Sequence, residues 1–250
     1  MLTELETWYQ SPRGEYLLEC LRAKLAAELD TAFGYHLVQV GVTGCHPLFE
    51  SSPIRHRIAV APDRGERVGL QALAYELPLA SDSVDVLIAH HALEFCANPH
   101  QALREIHRVL TPQGRVFIIG FNPASLPGMG MALSSRFGST LWRQRRAIST
   151  WRLHDWLNLL GLEVEEVHHC FALPPAGRGR LRRGIEAANA WCTQHGLPIG
   201  GVYLVHAIKQ VAGQVRPVQR SRSPRLIDLA VPKPATRPAP TSRSKGDSAA

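Results

Sequence analysis

The stretch VQVGVTGCHPL, Val38–Leu48, is an apolar, strand-like run that stops on a glycine. A chain leaving a strand through Gly41 and Gly44 presents backbone without a Cβ, the form in which polypeptide comes closest to a bound nucleotide. The glycine-rich turn is thin, because Thr43 separates the two glycines and Cys45 follows them. Other reactive side chains are scattered. HHC, His168–Cys170, carries three metal-ligand groups, but neighbours on a strand point to opposite faces, so at most His168 and Cys170 share one, and no metal is expected. The five cysteines (Cys20, Cys45, Cys96, Cys170, Cys192) are odd in number and form no CxxC pair. That pattern suits reduced thiols acting as small core residues better than a disulfide framework or a zinc site. The arginines of RQRR, 143–146, and RGRLRR, 178–183, have the donors to grip an anion or RNA, although such runs are usually solvated.

At 250 residues and 45% hydrophobic composition, the chain can bury one sizeable core. No window reaches the roughly 18 uncharged apolar residues of a membrane span. The opening LTELETWYQSPRGEY carries acids where a signal peptide needs a basic start, so a cytoplasmic location is expected. The net charge of +7 is concentrated at one end: from Val211 onward eight basic residues face two acids, leaving 20 basic against 19 acidic residues before it. This segment, 211–250, is rich in Pro, Arg and Ser and is expected to be a disordered basic tail. It could serve as an arm for nucleic acid, but no aromatic residue is interleaved for base stacking, so a solubilising tail is the favoured reading.

Apolar runs alternate with helical patterns before the tail, the signature of a βαβ-built sheet. Strands are expected at Leu37–Val40, Arg57–Ala61, Val68–Leu73, Val84–His90, Arg115–Phe121, Leu162–Ala172 and Gly201–Lys209. Leu17, Leu21, Leu25 and Leu29 recur on one helical face, as do Leu103, Ile106, Val109 and Leu110. The second of these helices opens with Asn98 as a cap and Pro99 in its first turn, and TPQG then launches a strand. A third, with Leu153, Trp156, Leu157 and Leu160, ends at Gly161 in a C-cap position. A helical segment around Gly184 to His195 separates the last two strands, so the final strand is expected to insert antiparallel.

The stretch Leu77–Phe121 resembles the class I S-adenosylmethionine-dependent methyltransferases, in particular the type 11 subgroup. The resemblance rests on Leu77-Pro78, on DSVDVLIAHHALEF, on ALREIHRVLTPQGRVFI and on the spacing between them. It extends less sharply from about Trp8 to Lys209. It implies an α/β fold: a seven-stranded, mostly parallel Rossmann-like sheet flanked by helices, with the last strand antiparallel. The domain would run over 1–210, with an N-terminal helical cap over 1–35 and a lid insertion over 122–150. The family pattern after the first strand is an acid followed by GxGxG. Here Gly41 fits, Gln39 replaces the acid, Thr43 the middle glycine, and the last is Gly44, shifted by one, or Cys45.

The resemblance further implies S-adenosyl-L-methionine as cofactor, bordered by Gly41, Gly44, Ala74, Ala89 and His90, with Asp63 as the partner of the ribose hydroxyls. Leu73 stands where the family has an acid facing adenine, leaving the backbone at Ala74 for that contact. No catalytic residue is assigned; His91 is a candidate base or a group that shapes the pocket mouth. The expected activity is methyl transfer to an unidentified acceptor, with a small molecule as the favoured class. The rivals are a catalytically inactive scaffold, suggested by Gln39, Thr43 and Leu73, and a nucleic-acid-associated methyltransferase.

Overall fold

The computed structural model describes residues 2–42, 46–65, 67–125, 145–170, 183–185, 187–189, 191 and 200–210. Four helices are bounded in it: α1 (Leu2–Tyr9), α2 (Pro12–Asp30), α3 (Pro99–Val109) and α4 (Thr150–Leu159). The strands are β1 (His36–Gly41), β2 (His56–Ala61), β3 (Leu70–Gln71), β4 (Val84–His90), β5 (Leu110–Phe121), β6 (Leu162–Cys170) and β7 (Val202–Lys209). They form one sheet in the order β3-β2-β1-β4-β5-β7-β6. The pairs from β3 to β5 are parallel, and β7 lies antiparallel between β5 and β6. The expected architecture is thus the observed one.

Parallel strands buried on both faces need apolar side chains throughout, and β4 meets this with VDVLIAH, in which only Asp85 is less than buried. One core layer lies on the α3 and α4 side, with Leu103, Ile106, Leu153 and Leu157 against Val38, Leu87 and Val116. The other lies under α1 and α2, where Leu17, Leu21, Leu25 and Leu29 are fully buried, with Ile88 and Phe117 in the same cluster. Each shielded leucine contributes roughly 1.5–3 kcal/mol relative to exposure.

Local chemistry sets the helix ends. Ser11 caps α2 by accepting from the Gly14 N–H, and Ser149 does the same for α4 with Arg152. Gly161 adopts φ +76° just past α4, the left-handed conformation of a C-terminal glycine. Asn98 precedes α3 but makes no side-chain cap bond; its amide donates instead to Gln101 Oε1 at 3.4 Å. Strand β3 is two residues long where six were expected. It is the sheet edge, and it pairs with β2 only at Leu70 and Gln71. Strand β5 begins at Leu110, and TPQG forms an irregularity within it, with Gln113 at φ +65°.

The segment bearing Leu77 and Pro78 is fastened to α3. Glu105 Oε2 accepts from the Leu77 N–H at 3.2 Å, while Arg108 donates to the carbonyls of Leu77 and Leu79 and to both oxygens of Glu105. Residues 183–185, 187–189 and 191 are helical, as expected of the segment before β7. The tail, 211–250, lies outside the described residues, as do 126–144 of the insertion.

Candidate active site

Strand order reverses between β1 and β4, and at the carboxyl ends of the strands beside that point the structure holds a cavity of about 550 Å³. Open α/β sheets receive ligands at this position. Gly41 lines it from the end of β1, Asp63 from beyond β2, and Leu73 and Ala74 from the turn after β3. Phe95 closes it from the segment after β4, and Leu2 of α1 and Arg146 contribute at its border. Gly41, Asp63 and Ala74 are thereby brought together.

Their surroundings differ in useful ways. The Asp63 carboxylate is exposed and bonds to no described residue, so its acceptor atoms are open to the cavity. Leu73 is 40% exposed, an apolar surface on the wall that a flat heterocycle would cover. Gly41 has φ +105°, and a Cβ there would stand 2.3 Å from the carbonyl oxygen of His90. Its glycine is required by the backbone itself, in addition to any need of a ligand.

Ala89 and His90 do not line the cavity. Ala89 is fully buried within β4, in register with Val40. His90 is fully buried, and its Nδ1 lies 3.0 Å from the carbonyl oxygen of Val42. Gly44 falls outside the described residues, with Thr43 and Cys45. Arg145 sits with its guanidinium 5.6 Å from the centre of the Phe121 ring.

Gln39 is fully buried and organises the loop that follows β1. Its Nε2 donates to Val42 O at 2.7 Å and to His46 O at 3.3 Å, while its Oε1 accepts from the Leu48 N–H at 2.8 Å. The amide uses both of its functions, and a carboxylate could replace only one of them.

A buried chain of hydrogen bonds continues from the same carbonyl. His90 Nδ1 faces Val42 O, its Nε2 lies 3.0 Å from Tyr9 Oη, and Tyr9 Oη lies 2.7 Å from His91 Nε2. His91 Nδ1 is 2.6 Å from Glu94 Oε2, and Glu94 Oε1 accepts from the Phe121 N–H at 3.0 Å. The His91–Glu94 distance would suit an ion pair, but both groups are fully buried. Burial lowers His91 to about 3 and raises Glu94 to about 8, so the neutral pair is the form at pH 7. One proton then serves each bond: Glu94 donates to His91 Nδ1, His91 Nε2–H to Tyr9, Tyr9 O–H to His90 Nε2, and His90 Nδ1–H to Val42 O. The chain ties α1 to the loop after β1, and both nitrogens of His91 are engaged in it. Trp8 packs edge-on against Tyr9 and Phe121, so Trp8 and Tyr9 pin α1 and do not line the cavity. Sequence reasoning missed this chain, whose only linear trace is the HHxxE spacing of His90, His91 and Glu94.

A family model described as a methyltransferase domain, type 11, matches residues 42–118. The uncharacterized protein YafS of Escherichia coli K12 is 32% identical over 169 residues, 68% of this chain and 70% of that protein. A malonyl-[acyl-carrier protein] O-methyltransferase of Methylococcus capsulatus is 37% identical over 67 residues, 27% of this chain and 24% of that enzyme. Among solved structures, an S-adenosylmethionine-dependent methyltransferase from Thermotoga maritima superposes with a TM-score of 0.61 at 19% identity, covering 83% of this chain and 96% of that one.

Proposed function

The chain belongs to the type 11 class I S-adenosylmethionine-dependent methyltransferases, and we propose that it binds that cofactor in the cavity beside Gly41 and methylates a small-molecule acceptor in the cytoplasm. One observation carries the reading: a carboxylate with no partner among the described residues, an apolar wall and a glycine strand end meet around a single cavity at the reversal of strand order.

The residues present fit the cofactor. Asp63 would accept from the ribose hydroxyls, Leu73 would cover adenine with the Ala74 backbone at its edge, and the methionine portion would lie beside Gly41. The cofactor supplies a methyl group on a sulfonium, which leaves by in-line displacement. The chain's own contribution is then alignment and exclusion of water by Leu2 and Phe95. Arg146, exposed at the border, favours an acceptor or cofactor group that carries negative charge.

A second reading, a non-catalytic scaffold of this fold, draws on Leu73, which offers adenine no side-chain acceptor. Calorimetric titration with S-adenosylmethionine and S-adenosylhomocysteine separates the two. Saturable heat that weakens roughly tenfold in Asp63→Ala supports the enzyme. The absence of heat with either ligand at near-millimolar protein overturns it.

A further inference from the structure

On the face of the sheet covered by α2, away from the cavity, three elements bring together donors that the linear sequence keeps far apart. Glu166 and His168 stand two apart on β6 and share a face, and Glu166 lies opposite His206 of β7 in the antiparallel register. Glu28 comes down onto them from α2. One donor atom each from Glu28, Glu166 and His168 lies within 4.8 Å of the others. His168 Nε2 is 2.9 Å from Glu166 Oε2 and 3.8 Å from Glu28 Oε1. The second oxygen of Glu28 is taken by His206 Nδ1 at 3.4 Å, and the His206 ring is stacked on Phe117 at 4.6 Å.

Two features set this cluster apart from a solvated ion pair. Among the described residues, no lysine or arginine pairs with either carboxylate. Arg115, the basic side chain that reaches this part of α2, donates to the Glu28 backbone carbonyl and to Thr31 Oγ1 and not to the carboxylate. One oxygen of the Glu28 carboxylate also faces a buried imidazole, His206 Nδ1 at 3.4 Å, while the other lies 3.8 Å from His168 Nε2. This is the arrangement by which proteins orient a metal-bound carboxylate.

We propose that Glu28, Glu166 and His168 bind a divalent transition-metal ion, zinc above all, with His206 positioning Glu28. Two carboxylate oxygens and one imidazole nitrogen suit zinc, whereas calcium and magnesium take oxygen donors alone. Donor atoms around zinc stand roughly 3.3–3.6 Å apart. Glu166, 54% exposed at its side chain, is free to swing to that spacing. The ion would fasten α2 to the β6–β7 pair and leave the fourth position open to water.

The test uses the full, tag-free chain after chelator treatment. Titration with zinc chloride should show a saturable site of about one ion per chain and a raised melting temperature; magnesium chloride at the same concentration should do neither. His168→Ala and Glu28→Gln should abolish that site while keeping the wild-type circular dichroism, and His206→Ala should weaken it roughly tenfold. The proposal is overturned if the wild type takes up no zinc. It is equally overturned if His168→Ala and Glu28→Gln bind zinc as the wild type does, which would place the ion on thiols elsewhere.

Discussion

Gln39 Nε2 donates to the carbonyl oxygen of Val42 at 2.7 Å, and His90 Nδ1 approaches the same oxygen at 3.0 Å. Both lone pairs of one loop carbonyl are thereby taken by buried donors, one from β1 and one from the end of β4. Where the resemblance implies an acid, this chain holds the loop with an amide. Gln39→Glu should therefore destabilise the chain, because a carboxylate would face the carbonyls of Val42 and His46 without a proton to give. A loss of about 1–3 kcal/mol in urea unfolding is expected, with no gain in S-adenosylhomocysteine affinity. A variant as stable as the wild type that binds more tightly would contradict this account of the loop.

Most of the fold was legible in the sequence because binary pattern and punctuation agree over the region from β4 to β5. The leucine face of α2 and the apolar run of β4 announce burial directly. The motif from Leu77 to Arg108 is readable because its residues touch: Glu105 and Arg108 hold the backbone of Leu77 and Leu79. Strand composition runs over Val68–Leu73, yet only Leu70 and Gln71 form the ladder with β2, while Leu73 turns away to bridge Glu76. Of the residues the resemblance implies for the site, Gly41, Asp63 and Ala74 line one cavity. The side-chain directions of Ala89 and His90, and the Tyr9 hydroxyl reaching across more than eighty residues, depend on packing that no local pattern encodes.

Tyr9→Phe should remove the central link of the buried chain. It orphans His90 Nε2 and the His91 Nε2–H at once, with little change in volume. A stability loss of about 1–3 kcal/mol is expected, measured by denaturant unfolding. A neutral outcome would show that the hydroxyl does not bind α1 to the two histidines.

Glu94 makes the chain sensitive to alkali. Burial raises its carboxyl from 4.5 to about 8, so between those values the folded state keeps a proton that the unfolded state has released. Its stabilising contribution is lost as pH rises through the folded value. His91, lowered from 6.5 to about 3, acts oppositely, and its part grows as pH rises from 3 to 6.5. The two slopes offset each other up to about pH 6.5, so the wild type should lose melting temperature between about pH 6.5 and pH 8. Glu94→Gln should lose clearly less, since its amide still donates to His91 Nδ1 and still accepts from the Phe121 N–H. Equal slopes in the two proteins would contradict the neutral pair.

Gly41→Ala tests why glycine stands at the cavity edge. The added Cβ meets the His90 carbonyl at 2.3 Å, and the residue must hold φ +105°. A loss of about 1–3 kcal/mol is expected from the backbone conformation alone. Wild-type stability with impaired cofactor binding would show instead that the glycine serves only the ligand.

The central claim, that the cavity beside Gly41 is a cofactor site, is tested most directly by a crystal structure with S-adenosylhomocysteine. The expected density places the ribose hydroxyls on Asp63, adenine against Leu73 and Ala74, and the homocysteine portion beside Gly41. An empty cavity in crystals grown with excess ligand, or ligand bound elsewhere on the chain, would contradict it.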